Sequence, residues 1–275
     1  MGSILRHFAF LLLIGFVLIA CKKDANRVIA PNTIVETEPA IQKPVTVKII
    51  DAIGGYYEAL PVHYNETTKS YPLLVFIPGA GQYGNGGADL PVVLNDGVAK
   101  LIDKKKFPPN FNVKGENFSL IVLSPQFNYY PSNFDVATFI NYARQNYRID
   151  STRIYMSGLS LGGFVTSDFS AENTSLIAAA VPISGVLLSG DVIERCEKIA
   201  HGKLPLWVFH NTDDPTINAT EPMRFVSLIN NDNPLIPAKI TLFKAAIHDA
   251  WTQAIDPSYK ENNINIYEWM LQYKK

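Results

Sequence analysis

Short runs of apolar residues alternate with helical patterns along most of the chain, and this alternation predicts an α/β fold. Six runs have the continuous hydrophobicity of strands that are buried on both faces of a parallel sheet. They are residues 73–77, 120–123, 153–156, 179–183, 206–209 and 239–243. Apolar positions at helical spacing lie between the runs, most clearly at 136–147, and residues 266–273 predict a C-terminal helix. Strand–helix alternation of this kind gives a mostly parallel central sheet with helices on both faces.

Two further strands are predicted before these runs. Residues 45–50 alternate like a half-buried strand, and residues 58–64 read as another. Pro61 favours an edge position for the second strand because proline donates no hydrogen bond to a ladder. No repeat or second linker follows, so residues 45–275 are predicted to form a single domain.

The N-terminal residues have the pattern of a targeting segment. Arg6 precedes an apolar run at 8–19, which is too short to span a bilayer and has the length of a signal-peptide core. The run ends in Leu-Ile-Ala-Cys21, which resembles the bacterial lipoprotein cleavage box. The resemblance implies a signal peptide at 1–20 and a lipid on Cys21, with an ordinary secretory signal or an uncleaved anchor as alternatives.

The polar, proline-containing residues 21–44 are then predicted to be the lipidated cysteine and a flexible tether. On this interpretation the protein is extracytoplasmic and held at a bacterial membrane, either the outer membrane or the cell surface, through its lipid.

Charge and motif content exclude several classes of function. The formal net charge is −1, and Lys104, Lys105 and Lys106 form the one basic run, so nucleic acid is not an expected partner. The sequence has no metal-ligand cluster and no dinucleotide- or phosphate-binding loop. We therefore expect neither a metal nor a cofactor.

The strongest chemical signal is Gly158-Leu-Ser160-Leu-Gly162, which lies between a predicted strand and a predicted helix. A serine on such a sharp turn takes strained backbone angles, which its small neighbours at 158 and 162 accommodate. The strain exposes the hydroxyl, and the amides at the start of the helix point toward it. Ser160 is therefore a candidate nucleophile if a histidine and a carboxylate reach it.

Both partners follow predicted strands later in the chain. Asp213 and Asp214 come after the strand at 206–209, and His248 comes after the strand at 239–243. Taken alone, the aspartates are ordinary turn residues and the histidine is an ordinary loop residue. Serine, acid and histidine in this order are typical of α/β-hydrolases. Each of the three also follows a predicted strand, which places it at the carboxyl edge of the sheet.

Four segments carry a resemblance to one branch of the α/β-hydrolase superfamily: 71–81, 147–163, 206–215 and 248–251. This branch contains feruloyl and acetylxylan esterases, polyhydroxyalkanoate depolymerase-like proteins, dienelactone-hydrolase relatives and so-called predicted peptidases. The resemblance implies an α/β-hydrolase fold with Ser160 as nucleophile, His248 as general base and Asp214 as the acid, with Asp213 as the competing acid.

The resemblance also implies an oxyanion hole formed by the amides of Leu161 and Ala80, with Gly81 as second choice for the latter. Pro78 departs from the family, which has histidine before the glycine. The sequence therefore leaves open which residue supports this loop. Asn211 stands where glycine is usual. His210 matches a position that is commonly a structural histidine, and a role as base is the alternative.

Only about twenty residues separate the strands at 179–183 and 206–209, which leaves no room for a large lid domain. An open cleft admits a bulky substrate such as a decorated polysaccharide or a peptide. Tyr129, Tyr130 and Phe134 follow a predicted strand and are candidates for substrate contact through their rings. The expected function is carboxylic ester hydrolysis on an extracytoplasmic ester, and a carbohydrate-linked ester is one candidate. A serine peptidase or a binding protein with a degraded site are the alternatives.

Overall fold

Eight strands form the central sheet of the computed structural model, which describes residues 34–187 and 190–275. With two further strands outside this sheet, the ten strands of the described residues are, in chain order, β1 (Ile41–Ile50), β2 (Ile53–Leu60), β3 (Tyr71–Ile77), β4 (Phe111–Val113), β5 (Glu116–Phe118), β6 (Ile121–Phe127), β7 (Ile149–Leu159), β8 (Ala179–Ile183), β9 (Trp207–Asn211) and β10 (Lys239–Phe243). β4 and β5 form a separate hairpin, and the sheet order is β1-β2-β6-β3-β7-β8-β9-β10. β2 is antiparallel to both of its neighbours, and the strands from β6 to β10 are parallel. The predicted mostly parallel sheet is confirmed.

Helices cover both faces of the sheet. They are α1 (Gly97–Asp103), α2 (Asn133–Asn146), α3 (Leu161–Glu172), α4 (Val192–His201), α5 (Thr220–Asn231), α6 (Trp251–Ala254) and α7 (Ile266–Met270). Short 3₁₀ turns lie at Tyr64–Glu66, Ala80–Gln82 and Leu90–Asn95. Leu73, Val75 and Ile77 of β3 pack in a core with α2 to α5, whereas Leu74 and Phe76 pack in a second core with α1, α6 and α7. Between β8 and β9 the described residues contain only α4, so no lid domain is present there.

The domain begins earlier than predicted. β1 starts at Ile41, not at residue 45, and Glu36 is fully buried. Lys69 donates a hydrogen bond to the carbonyl oxygen of Ile34, and Asn110 donates one to that of Glu36. The prediction of a tether up to residue 44 is therefore wrong for residues 34–44. That prediction relied on the prolines of this segment, but β1 is an edge strand, where proline is tolerated.

The predicted strand at 58–64 is also corrected. β2 ends at Leu60, and Pro61 is followed by the 3₁₀ turn Tyr64–Glu66. β2 lies between β1 and β6 rather than at the sheet edge. This position is compatible with Pro61 because the proline follows the last residue of the strand and is not part of its hydrogen-bonded ladder.

The predicted signal peptide at 1–20 and Cys21 lie outside the described residues. Within the described residues, no helix is long and apolar enough to cross a membrane.

Candidate active site

Ser160 is the single residue between the end of β7 and the start of α3. Its φ of 51° and ψ of −117° place it in a strained region that few residues other than glycine adopt. A Cβ atom at position 158 would lie 2.3 Å from the carbonyl oxygen of Gly162, and one at position 162 would lie 2.1 Å from that of Ile77. Both positions therefore require glycine. The Ser160 amide donates to the carbonyl oxygen of Ile183 at 2.9 Å, which fixes the turn against β8.

Ser160, His248 and Asp214 form one chain of hydrogen bonds. The Ser160 Oγ lies 2.9 Å from His248 Nε2, and His248 Nδ1 lies 2.7 Å from Asp214 Oδ2. Because a carboxylate oxygen can only accept, it keeps the imidazole proton on Nδ1 and leaves the Nε2 lone pair facing the serine hydroxyl. This arrangement can take a proton from the hydroxyl and hold the resulting charge on the imidazole.

The carboxylate of Asp214 is buried and fully hydrogen-bonded. Its second oxygen, Oδ1, accepts from the amides of Thr216 at 2.8 Å and Ile217 at 3.1 Å. Burial alone would raise the pKa of Asp214, but the hydrogen bonds from His248 and these two amides outweigh it, so the pKa lies below its ordinary value. Asp214 is therefore an anion at neutral pH, as a partner of an imidazolium must be.

Among the described residues, neither of the two alternatives that the sequence left open is hydrogen-bonded to Ser160 or His248. His210 Nε2 does lie 3.4 Å from Asp214 Oδ2. Asp213 is exposed, and its carboxylate accepts a hydrogen bond from the hydroxyl of Thr212. His210 is fully buried behind the acid loop, residues 212–217, which carries Asp214. Its Nε2 donates to the carbonyl oxygen of Ile217 at 2.8 Å. Burial lowers the pKa of His210, which keeps it neutral and structural. Geometry thus favours Asp214 as the acid and His248 as the base.

The predicted oxyanion residues border the nucleophile. An open cleft of about 270 Å³ contains Ser160, and its lining also includes Gly79, Ala80, Gly81, Gln82, Asn95, Asp96, Leu159 and Trp251. Leu161 is the first residue of α3, so its amide has no acceptor within the helix. Ala80 is likewise the first residue of a 3₁₀ turn. Both amides are therefore suited to donate to an oxyanion beside Ser160.

Buried Gln82 supports the loop of Gly79, Ala80 and Gly81, a role that the sequence did not indicate. Gln82 Oε1 accepts from the amide of Gly79 at 3.1 Å, while its Nε2 donates to the carbonyl oxygens of Val93 at 2.8 Å and Asp96 at 3.2 Å. From β6, Gln126 Nε2 donates to the carbonyl oxygen of Gln82 at 3.1 Å. These bonds brace the turn that follows Pro78 from inside.

The loop that carries His248 is held from both sides. Asn211 at the end of β9 donates through Nδ2 to the carbonyl oxygen of Ile247 at 2.7 Å. Ser184, which follows β8, accepts through Oγ from the amide of Ala250 at 3.3 Å. The side chain of Asn211 therefore fixes the residue directly before the histidine.

Replacing Gln82 by methionine is expected to lower kcat about 10- to 100-fold and to change KM less than about 3-fold, since loss of one oxyanion donor costs about 10²–10³ in rate. Methionine keeps the length of the side chain but makes none of the three hydrogen bonds. Steady-state kinetics with a short-chain ester, beside a thermal melt, provides the test. A fall in kcat that merely follows the loss of folded protein would assign Gln82 a structural role only.

Tyr129, Tyr130 and Phe134 do not line the cleft that contains Ser160. They are 47%, 45% and 73% exposed and lie beyond β6, which is two strands from β7. At about 4.8 Å between strands, this places their loop roughly 10 Å to the side of the nucleophile. The structure therefore does not bring these rings to the reacting bond. They form an exposed aromatic patch at the same edge of the sheet.

Within the described residues, no group of three or more histidine, cysteine or acidic side chains is arranged to hold a metal ion. No family model matches the chain. A bifunctional acetylxylan esterase/xylanase of Neocallimastix patriciarum is 31% identical over 83 residues, which make up 30% of this chain and 12% of that protein.

Solved structures show the similarity in fold. A thermostable esterase superposes with a TM-score of 0.57 at 24% identity, over 86% of this chain and 64% of that one. The fluorophosphonate-binding serine hydrolase F of Staphylococcus aureus superposes with a TM-score of 0.59 at 15% identity, over 85% and 99% of the two chains. The chain therefore has the α/β fold of the α/β-hydrolases, with its mostly parallel eight-stranded sheet.

Proposed function

We propose that the protein is a serine hydrolase that cleaves carboxylic esters through a covalent acyl-enzyme. The observation that carries the proposal is the hydrogen-bonded chain from Ser160 through His248 to Asp214, at 2.9 and 2.7 Å. The names of the similar proteins, an acetylxylan esterase/xylanase, a thermostable esterase and a serine hydrolase, agree with it.

Each residue has one role in the reaction. His248 Nε2 takes the hydroxyl proton while the Ser160 Oγ attacks the ester carbonyl carbon, and the amides of Leu161 and Ala80 donate to the oxyanion. His248 then passes the proton to the leaving alkoxide, so the alcohol departs and an acyl-serine remains. A water molecule attacks the acyl-serine with His248 again as base, and the acid leaves with Ser160 restored.

The proposed substrate is an ester on a large, carbohydrate-linked molecule. The cleft at Ser160 is open to the surface, and the exposed patch of Tyr129, Tyr130 and Phe134 lies at the same edge of the sheet. Aromatic rings at this distance would contact sugar units beyond the one that carries the ester. Peptide hydrolysis is the second candidate, because an amide passes through the same acyl-enzyme.

We also propose that the domain is extracytoplasmic and anchored at a bacterial membrane by lipid on Cys21, after removal of residues 1–20. The resemblance of residues 18–21 to the lipoprotein cleavage box motivates this assignment. Incorporation of a labelled fatty acid at Cys21 in the producing cell tests it, and an unmodified Cys21 would refute it.

The direct test of catalysis is labelling with a fluorophosphonate probe. The full chain, purified in mild detergent, is expected to form a one-to-one adduct that peptide mass mapping places on Ser160, and to hydrolyse short-chain p-nitrophenyl esters faster than p-nitroanilides. A folded chain that takes up no probe and cleaves neither class would instead favour a binding protein on a hydrolase fold.

A further inference from the structure

A side cavity of about 180 Å³ adjoins the cleft that contains Ser160. Asp96 and Trp251 line both spaces, so the side cavity and the cleft share a wall. The side cavity lies between α1 with the residues that follow it and α6. Leu101, Ile255 and the Trp251 ring give it an apolar surface that belongs to the core on that face of the sheet.

The charged residues that line the side cavity carry a net positive charge. Three ammonium groups, on Lys100, Lys104 and Lys106, and two carboxylates, on Asp96 and Asp256, line it. Within this set, Lys100 and Asp96 pair with each other at 3.4 Å. The carboxylate of Asp256 already accepts a hydrogen bond from the Ser258 amide at 2.8 Å.

Lys106 is the least compensated of these cations. Lys104 has a carboxylate partner outside the cavity, Asp103, at 2.9 Å. Among the described residues, no acidic side chain lies within ion-pair distance of Lys106. The side cavity therefore offers a positive charge to an anion that enters it.

The shared wall contains a second hydrogen-bond donor. The indole N–H of Trp251 is buried and has no acceptor among the described residues. An unpaired buried donor is costly. Because its nitrogen has almost no exposed surface, the ring would turn slightly before a bound oxygen atom could accept from it. A carboxylate matches both features, because it carries a negative charge and accepts several hydrogen bonds.

The position of Trp251 indicates which part of an ester would reach the side cavity. Its ring packs edge-on against the His248 imidazole, with the ring centres 5.4 Å apart at 84°. His248 hands its proton to the leaving oxygen, so the alcohol portion departs on the histidine side of the cleft. Trp251 also lines the side cavity, so the cavity adjoins this side of the cleft.

We propose that the side cavity binds a carboxylate on the alcohol portion of the substrate, so that the preferred substrates are esters of acidic alcohols such as sugar acids. The proposal rests on the proposed ester hydrolysis and specifies its substrate class. Binding would use the Lys106 ammonium and the Trp251 N–H, with the apolar floor contacting the carbon skeleton.

The test compares two acetates that differ in charge on the alcohol, 4-carboxyphenyl acetate and 4-carbamoylphenyl acetate, using the full chain. Lys106→Ala is expected to raise KM for the carboxylate about 3-fold, the size of one partly exposed ion pair, and to leave KM for the amide unchanged. Removing Lys104 as well is expected to increase the effect to about 10-fold. High salt should likewise reduce the preference of the wild type for 4-carboxyphenyl acetate over the amide, because it screens the ion pair.

Lys105→Ala is the matched control. It removes the same charge from the neighbouring position, but Lys105 lines a different groove, with Ile41 and Tyr57. This variant is expected to treat the two acetates as the wild type does. An equal effect of Lys105→Ala would show that only the general field of the lysine run matters, and would overturn the proposal.

A second pair places the charge on the acyl portion: the p-nitrophenyl monoester of adipic acid and p-nitrophenyl hexanoate. We expect Lys106→Ala to affect these two equally, and a loss confined to the adipate would overturn the assignment to the alcohol side. A chain that hydrolyses all four esters without regard to charge refutes the side-cavity proposal alone. A chain that hydrolyses none of them and takes up no fluorophosphonate refutes the proposed function, and the side-cavity proposal with it.

Discussion

Replacing Ser160 by alanine is expected to lower kcat for ester hydrolysis by about 10⁴-fold or more and to abolish fluorophosphonate labelling. The hydroxyl oxygen is the atom that forms the acyl bond, and among the described residues no other hydroxyl is hydrogen-bonded to His248. Rates of p-nitrophenyl ester hydrolysis at saturating substrate, with the label measured by intact mass, provide the test.

The fold should survive the substitution. Alanine retains the Cβ atom, so the strained backbone at position 160 is as costly as before, and the amide still donates to the carbonyl oxygen of Ile183. The thermal midpoint should therefore stay within a few degrees of the wild type. Ser258→Ala, on an exposed loop, controls for loss of a serine and should keep full activity.

A variant at Ser160 that still turns over esters would remove the basis of the proposed function. Substrate binding that persists without turnover in both the wild type and Ser160→Ala would favour a binding protein. Pro78 motivates that alternative in the sequence. The hydrogen bonds of Gln82 hold the loop after Pro78 through another side chain, which favours the hydrolase over the binding protein.

The buried strands were predictable because their sequence signal is local. β8 has the bounds that the apolar run at 179–183 indicated, since a strand covered on both faces needs apolar residues throughout. β10 also has its predicted bounds at 239–243, although it is an edge strand and only partly buried. β1 gave a weaker signal. One edge of it faces solvent, so proline and polar residues are tolerated, and the sequence alone placed its start too late.

The candidate catalytic residues could be proposed from motif and order, whereas the residues that support them could not. A glutamine in a glycine-rich loop reads as a surface residue, and Gln82 becomes a brace only because the chain from Val93 to Asp96 folds over it. The side cavity arises in the same way, since it forms where the residues around α1 meet α6, far apart in sequence. Such features depend on tertiary contacts that no local pattern contains.

Asp213 and Asp214 offer a matched pair of variants that separates catalysis from local structure. Asp214→Asn is expected to lower kcat about 10⁴-fold, because an amide at this position can donate to Nδ1 and so stabilises the wrong imidazole tautomer. The asparagine oxygen can still accept from the amides of Thr216 and Ile217, so the acid loop should keep its shape.

Asp213→Asn is expected to leave kcat within about 2-fold of the wild type, in the range of an exposed substitution away from the site. Among the described residues, its carboxylate accepts a hydrogen bond from the neighbouring Thr212 hydroxyl alone, and asparagine can retain that contact. Both variants carry the same atom-for-atom change one residue apart, so any general effect on charge or folding cancels between them. The comparison uses kcat and the rate of fluorophosphonate labelling, which needs the same activated serine.

Three results are distinguishable. A large loss in Asp214→Asn alone supports the hydrogen-bonded chain of 2.7 and 2.9 Å as the reacting geometry. A large loss in Asp213→Asn alone would mean that the loop rearranges before catalysis and exchanges the two carboxylates. Full activity in both would show that His248 needs no anion behind it, and the proposed proton transfer would then rest on the histidine and serine only.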